Sequence, residues 1–248
     1  MPAELLDKRE VRIRRMFGQI APWYDFLNHL LSLNIDKRWR DKTARLVQPD
    51  PTGGPVLDLC TGTGDLALTY DRTIPSQVAI VGAEFCHEML VRATQKSAGT
   101  RVRFEEADAQ SLPFPSDTFQ IVTVAFGLRN ITDTDAGLAE MVRVTKPGGR
   151  VAILEFSKPR HWLLGRLYRL YFRYLLPLAG QILCRNKESA YRYLPESVLK
   201  FPDYEELAAK LRAHGLADVT YQPLTFGIAT LYVGVKSAAG PRSSADGA

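Results

Sequence analysis

A chain of 248 residues is long enough for one large α/β domain or two small ones, with a substantial core. Its 46% hydrophobic and 24% charged content are ordinary for a globular protein, and no run of about 18 uncharged apolar residues offers a membrane span. Three cysteines (Cys60, Cys86, Cys184) and four histidines (His29, His87, His161, His214) lack the spacing of a disulfide framework or a metal site, and the net charge of +5 is modest.

The N-terminal stretch MPAELLDKREVRIRRMF mixes both charge signs and has no uninterrupted apolar core, so no secretory signal is read and a cytoplasmic protein is expected. Residues 1–48 read as helical and basic, with aromatic residues gathered in MFGQIAPWYDFLN. From about residue 55 the pattern changes. PVLDLC, QVAIVGAE, RVRFEEAD, FQIVTVAFG and GRVAILEFS have strand length and are rich in Val, Ile or Phe. Between them DLALTYDRT, HEMLVRATQKS and DAGLAEMVRVT have helical patterns, and KPGG supplies a break before the fifth strand. Such alternation predicts an α/β fold, a parallel sheet with helices on both faces.

After Pro159 the alternation stops. HWLLGRLYRLYFRYLLPL is apolar and aromatic, and its arginines Arg166, Arg169 and Arg173 fall on one helical face. Lys158–Lys200 carries nine basic residues against Glu188 and Glu196, a local excess that points to an anionic surface, lipid or nucleic acid. FPDYEELAAKLRAHG reads as a helix with Asp203 as N-cap and Gly215 as stop. ADVTYQPLTFGIATLYVGVK reads as two closing strands, and SAAGPRSSADGA as a disordered tail over 237–248.

The chemistry gathers at VLDLCTGTGD. Gly62, Gly64 and Ala67 fit G-x-G-x-x-A, a glycine turn that opens a helix beneath a pyrophosphate in dinucleotide-binding folds. Asp58 and Asp65 flank that turn, however, and carboxylates repel a phosphate. Glu84 ends the second predicted strand, where an acid can accept from ribose hydroxyls, and Asp108-Ala109 follows the third, where an acid can accept from an exocyclic amine. Both readings suit NAD and S-adenosylmethionine alike. The acidic pair favours the second ligand, which is cationic and has no phosphate. Solvated strand ends and turn chemistry remain the plain alternatives for Glu84 and Asp108.

The turn LDLCTGTGD resembles the first motif of Rossmann-like methyltransferases that use S-adenosylmethionine. YDFLNHLLSLNIDKRW (24–39), FGLRNITD (126–133), RVTKPGGRVAILEFSKP (143–159) and YRYLPESVLKFP resemble one branch of them, the ubiquinone/menaquinone biosynthesis C-methyltransferase family, over nearly all of residues 10–236. The resemblance implies a class I methyltransferase with a mostly parallel seven-stranded sheet, its last strand antiparallel. It implies a helical lid over 1–48, a core over 49–236 and a helical insertion at about 160–200. The implied reaction is C-methylation of a polyprenylated quinol, demethylmenaquinol to menaquinol first and 2-polyprenyl-6-methoxy-1,4-benzoquinol as the alternative, or both. Peripheral contact with the membrane and a homodimer are further expectations, with no nucleic acid and no metal.

By position, the family's cofactor contacts fall on Thr63, Glu84, Asp108 and Ala109, to which Asp58, Gly62 and Gly64 are added from the turn itself. Leu27, Asp36, Glu84 and Ala125 depart from the commonest family pattern, and the contact made by a serine at position 125 is not carried over. Arg129, past the fourth strand, has the planar cation that suits a developing oxyanion, with a surface salt bridge as the alternative. Asn130 would orient the same group. Asp25 is a candidate water-positioning acid, unless YDxxN only caps and packs a helix. Tyr24, Asn28 and Tyr191 are candidate substrate contacts, and Tyr193 and Phe201 are candidate channel walls. Two rival classes stand beside this reading. One is a dinucleotide-dependent oxidoreductase, and the other a nucleic-acid or membrane-binding module built on the basic segment, although no RNA-binding motif accompanies it.

Overall fold

The computed structural model describes residues 10–170 and 190–237. Seven strands form one sheet: β1 (Val56–Leu59), β2 (Ile80–Glu84), β3 (Val102–Glu106), β4 (Phe119–Ala125), β5 (Thr145–Phe156), β6 (Leu216–Leu224) and β7 (Ala229–Lys236). Their order is β3-β2-β1-β4-β5-β7-β6. β7 runs antiparallel to both its neighbours, and the other ladders are parallel. The expected alternation is therefore what forms, including the antiparallel last strand.

β1 is buried at all four positions, as a parallel strand covered on both faces must be. One cover is α3 (Ile35–Leu46) with α4 (Asp65–Thr73), which place Trp39, Leu66 and Tyr70 against the sheet. The opposite cover is α6 (Thr134–Val144), with Leu138 and Met141, together with a helix whose Leu207 and Leu211 join the same cluster. α1 (Glu10–Ile20) and α2 (Tyr24–Leu31) dock instead on α5 (His87–Lys96), where Ile20, Phe17 and Tyr24 meet Met89. α7 (Trp162–Leu170), α8 (Ala190–Lys200) and α9 (Glu205–Ala213) follow β5, and Leu207 and Leu211 belong to α9.

Two local expectations are corrected. KPGG does not precede β5 but lies inside it, as an irregularity where the pairing with β4 shifts register between Phe119 and Ile121. Asp203 does not cap α9. Its carboxylate accepts the Lys158 amide at 2.9 Å, and Tyr204 holds the N-cap position without a side-chain capping bond, its hydroxyl donating instead to the carbonyls of Lys158 and Gly227. Residues 171–189 and 238–248, which include Arg173 and nearly all of the expected tail, lie outside the described residues.

The strand order reverses between β1 and β4, and both strands end in left-handed residues, Cys60 (φ 51°) and Phe126 (φ 58°). The two turns interlock. A Cβ on Gly127 would stand 2.5 Å from the Cys60 Cβ, so only glycine lets the chain leave β4 there. This crevice beyond the carboxyl ends of the strands is where a doubly wound sheet presents a ligand site.

Candidate active site

The crevice is lined from several elements. Gly62 comes from the first turn, Glu84 and Phe85 from the end of β2, and Asp108, Ala109 and Gln110 from beyond β3. Phe126, Gly127, Asn130 and Ile131 come from beyond β4, and Ile13, Phe17 and Tyr24 from α1 and α2. Of the residues singled out by the sequence, Gly62, Glu84, Asp108, Ala109, Asn130 and Tyr24 thus meet at one cleft. Thr63, Gly64, Asp58, Asp25, Asn28 and Arg129 are not among its lining residues.

Asp58 is corrected first. It is 1% exposed, and its carboxylate accepts from Thr61 Oγ1 (2.5 Å), Thr123 Oγ1 (3.1 Å) and the Ala67 amide (3.1 Å). α4 starts at Gly64 (φ 85°), which has no side chain with which to cap the exposed amides of the first turn. Asp58 reaches over from β1 and supplies the missing acceptor. It therefore occupies the helix N-terminus that a pyrophosphate would need. Burial pushes its carboxyl up to about 6, against the pull of its three hydrogen bonds.

Asp65 is neutralised within the protein, at 2.6 Å from Lys96 and 3.7 Å from Arg40. The same lysine binds Asp25 (2.7 Å) and Thr63 Oγ1 (3.1 Å), and Thr63 donates to Asp25 at 2.5 Å. Asp25 and Thr63 are thus a staple that ties α2 to the glycine turn and α5, and neither faces the cleft.

Glu84 is one of two acids that line the cleft. Its Oε2 accepts the Gly62 amide and its Oε1 the Cys86 amide, each at 3.0 Å, so one carboxylate fixes both the glycine turn and the start of α5. Burial raises its pKa although these amides oppose the shift. Asp108 accepts the Gln110 amide at 2.9 Å and holds the loop after β3. With Glu84 and Asp108 lining the cleft and no lysine or arginine among the lining residues, the donor set fits a cationic adenosyl group and not a pyrophosphate.

At the β4 end the buried Arg129 makes a salt bridge with Glu155 of β5, Nη1 to Oε1 at 2.7 Å, and donates from Nη1 to the Phe126 carbonyl at 2.5 Å. The pair is internal, not on the surface. Glu155, whose carboxylate also accepts the Phe156 amide at 2.8 Å, went unnoticed in the sequence, where the only signal was one charge inside GRVAILEFS. Arg129 Nε and Asn130 Oδ1 are buried without a hydrogen-bond partner, and so is the hydroxyl of Tyr193. The Asn130 Nδ2 lies 3.4 Å from the Phe126 carbonyl, which orients the amide. Tyr24 is hydrogen-bonded to Asn28, and burial raises its phenol pKa while Arg129 and Arg40 oppose the shift. Asn28 thus holds Tyr24 and does not itself line the cleft. Tyr191 stands in α8, but its side chain lies outside the described residues. Phe201 belongs to the main core and is not a channel wall.

This sheet and cleft are those of class I S-adenosylmethionine-dependent methyltransferases. A crystal structure from Thermotoga maritima, described as a possible histamine N-methyltransferase, superposes with a TM-score of 0.61 at 16% identity, covering 89% of this chain and 100% of that one. The chain belongs to the ubiE/COQ5 methyltransferase family, which it matches over residues 5–236. It is 48% identical to a ubiquinone/menaquinone biosynthesis C-methyltransferase of Geobacter sulfurreducens over 93% of this chain and 91% of that relative. It is also 48% identical to a demethylmenaquinone methyltransferase of Deinococcus radiodurans, over 90% of this chain and 92% of that relative. It is thus an enzyme, and S-adenosylmethionine is its cofactor.

Proposed function

We propose that this enzyme methylates a ring carbon of a reduced quinone, converting demethylmenaquinol to menaquinol. Names of relatives support the substrate class. The observation that carries the reading is the pair of unpartnered buried atoms at the β4 end, Arg129 Nε and Asn130 Oδ1. One is a donor and the other an acceptor, and a quinol hydroxyl offers the complement of both. A buried polar atom without a partner costs about 1–3 kcal/mol, so a ligand that satisfies both is strongly favoured.

Glu84 and Asp108 hold the ribose and the adenine end of the cofactor. When bound, S-adenosylmethionine supplies an electrophilic methyl group on a cationic sulfur. A ring carbon is a weak nucleophile until the neighbouring hydroxyl feeds charge into the ring. Arg129 stays protonated and is no literal base. Its Nε–H instead stabilises the oxygen as phenolate character develops. Glu155 fixes the guanidinium plane, and Asn130 orients the hydroxyl. Tyr24, its phenol kept protonated by burial, is a donor across the cleft. Ile13, Phe17, Phe126 and Ile131 give the ring an apolar bed and exclude water. α1–α3 form the lid.

A prenylated substrate resides in lipid, and α2 carries the matching surface. Phe26 and Leu30 on α2 are 55% and 44% exposed, Trp23 and Leu33 just beyond its two ends are 59% and 78% exposed, and Lys37 and Arg38 are exposed beyond them. The basic, apolar segment 161–176 is a second candidate for the lipid contact, and its residues 171–176 lie outside the described residues. The described part of that helix ends at Leu170, with Trp162 and Arg166 exposed.

The test is transfer of labelled methyl from S-adenosylmethionine to demethylmenaquinol and to 2-polyprenyl-6-methoxy-1,4-benzoquinol, each held reduced, with the oxidised quinones alongside. Label is expected in the naphthoquinol and in neither quinone, because a carbonyl cannot donate to Asn130 Oδ1 and its ring carbon is electron-poor. Label in the benzoquinol alone would transfer the assignment to that substrate. No transfer to either quinol would overturn the reading.

A further inference from the structure

Tyr193 carries a buried hydroxyl without a hydrogen-bond partner, on the helix that packs against Leu128–Asn130. It stands on α8, is 4% exposed, and packs its ring among Ile13, Met16, Phe17 and Phe85. Three of these, Ile13, Phe17 and Phe85, line the cleft. α8 packs against the turn Leu128–Asn130, and the charges of both Arg129 and Glu155 act on the Tyr193 phenol. Its hydroxyl nevertheless has no hydrogen-bond partner.

A tyrosine whose only function is to fill space is better replaced by phenylalanine, because a buried hydroxyl left unmatched destabilises the fold. The ring of Tyr193 is explained by packing. Its hydroxyl is not. We infer that Tyr193 is a substrate-contacting residue whose hydroxyl bonds a quinol oxygen, so that the enzyme reads its substrate as a diol. The inference rests on the quinol reading above. Burial raises the phenol pKa, which keeps the hydroxyl as a donor at neutral pH. Arg129 Nε–H and Tyr193 O–H are donors and Asn130 Oδ1 an acceptor, and of the three residues only Asn130 lines the cleft itself, the other two lying behind lining residues. One hydroxyl could take up all three atoms, or the two oxygens of a para-diol could share them, and the comparison of diol with mono-ol separates these cases.

Tyr193→Phe tests this while keeping the ring. The wild-type and variant enzymes are compared on demethylmenaquinol and on the corresponding naphthol lacking one hydroxyl, with thermal unfolding and S-adenosylhomocysteine affinity measured in parallel. The KM of the variant for the diol should rise about tenfold, the scale of one neutral hydrogen bond. Its KM for one of the two mono-ol isomers should match wild type, its cofactor affinity should be unchanged, and its melting temperature should hold or rise. An unchanged diol KM would overturn the inference. So would a fall of several degrees in melting temperature, which would show the hydroxyl to be bonded within the folded protein or to a buried water. Failure of the wild type to methylate the diol at all would instead remove the quinol reading beneath it.

Discussion

Asp58 and Glu84 use the same functional group for different ends. Asp58 is spent on the first turn of α4, and Glu84 fixes two backbone amides while still facing the cleft. For Asp58 this has a measurable cost. Its pKa is raised from 3.8 to about 6 in the folded chain, with burial as the main cause. The folded state therefore holds its proton more tightly than the unfolded state. The stability this contributes is fully present below pH of about 3.8 and is lost as pH rises through about 6. Asp58→Asn has the shape of the acid and cannot ionise, although its amide nitrogen donates where an Asp58 oxygen accepts. The variant should therefore start below wild type at pH 4 and regain on the order of 3 kcal/mol relative to it by pH 7. Denaturant titration across that range checks this, and a difference independent of pH would contradict it. Arg129 shows a different economy. Its Nη1 is committed to Glu155 and to a carbonyl, while its Nε is buried without a partner, next in the chain to the cleft-lining Asn130.

At the scale of elements, α2 joins the site to its surroundings. Tyr24 faces the cleft, Asp25 ties the helix to Lys96, and the opposite face exposes Trp23, Phe26 and Leu30. Replacing Trp23, Phe26 and Leu30 together with serine should reduce co-sedimentation with anionic liposomes several-fold and leave the melting temperature within a few degrees, since these side chains are already in water. Equal co-sedimentation would exclude α2 as the lipid contact. The elements themselves were largely legible. α4 was expected over 65–73 and forms as Asp65–Thr73, because its apolar period and flanking glycines are local signals. Gly62, Glu84, Asp108 and Ala109 were placed at the cleft for a similar reason: strand ends and glycine turns follow from local pattern. Asp58, Thr63, Asp25 and Arg129 are not among the residues that line the cleft, because the direction of a side chain depends on which elements dock beside it. The acidic pair thus pointed to the right cofactor for an incomplete reason. Asp58 excludes phosphate by occupying the helix terminus, and Lys96 and Arg40 neutralise Asp65. Glu155 and Tyr193 were hidden in apolar and aromatic runs, where nothing local separates a buried functional group from core.

At the scale of the whole molecule, the reversal of strand order between β1 and β4 makes one cleft from two halves. β2 and the loop after β3 bring the carboxylates of Glu84 and Asp108 to the cleft. β4 and β5 provide Arg129, Asn130 and Glu155, while α1, α2 and α8 close the apolar side. Among the described residues no helix is long and apolar enough to cross a membrane, so contact with lipid would fall to exposed surface such as α2. The central claim is that Arg129 stabilises charge developing on the quinol oxygen. It is tested most directly by single-turnover methyl transfer from cofactor-loaded enzyme to demethylmenaquinol across a pH series, using wild type, Arg129→Lys and Arg129→Ala. Because Arg129→Ala strands Glu155 as a buried charge, at a cost of about 3–5 kcal/mol, it is paired with Arg129→Ala/Glu155→Gln. The account predicts a rate lower by on the order of 100- to 1,000-fold in each variant, with cofactor affinity intact and partial recovery as pH approaches the pKa of the quinol. Arg129→Lys should recover little, since an ammonium cannot satisfy Glu155, the Phe126 carbonyl and the substrate at once. Near-wild-type turnover in the lysine variant and the double variant would contradict it.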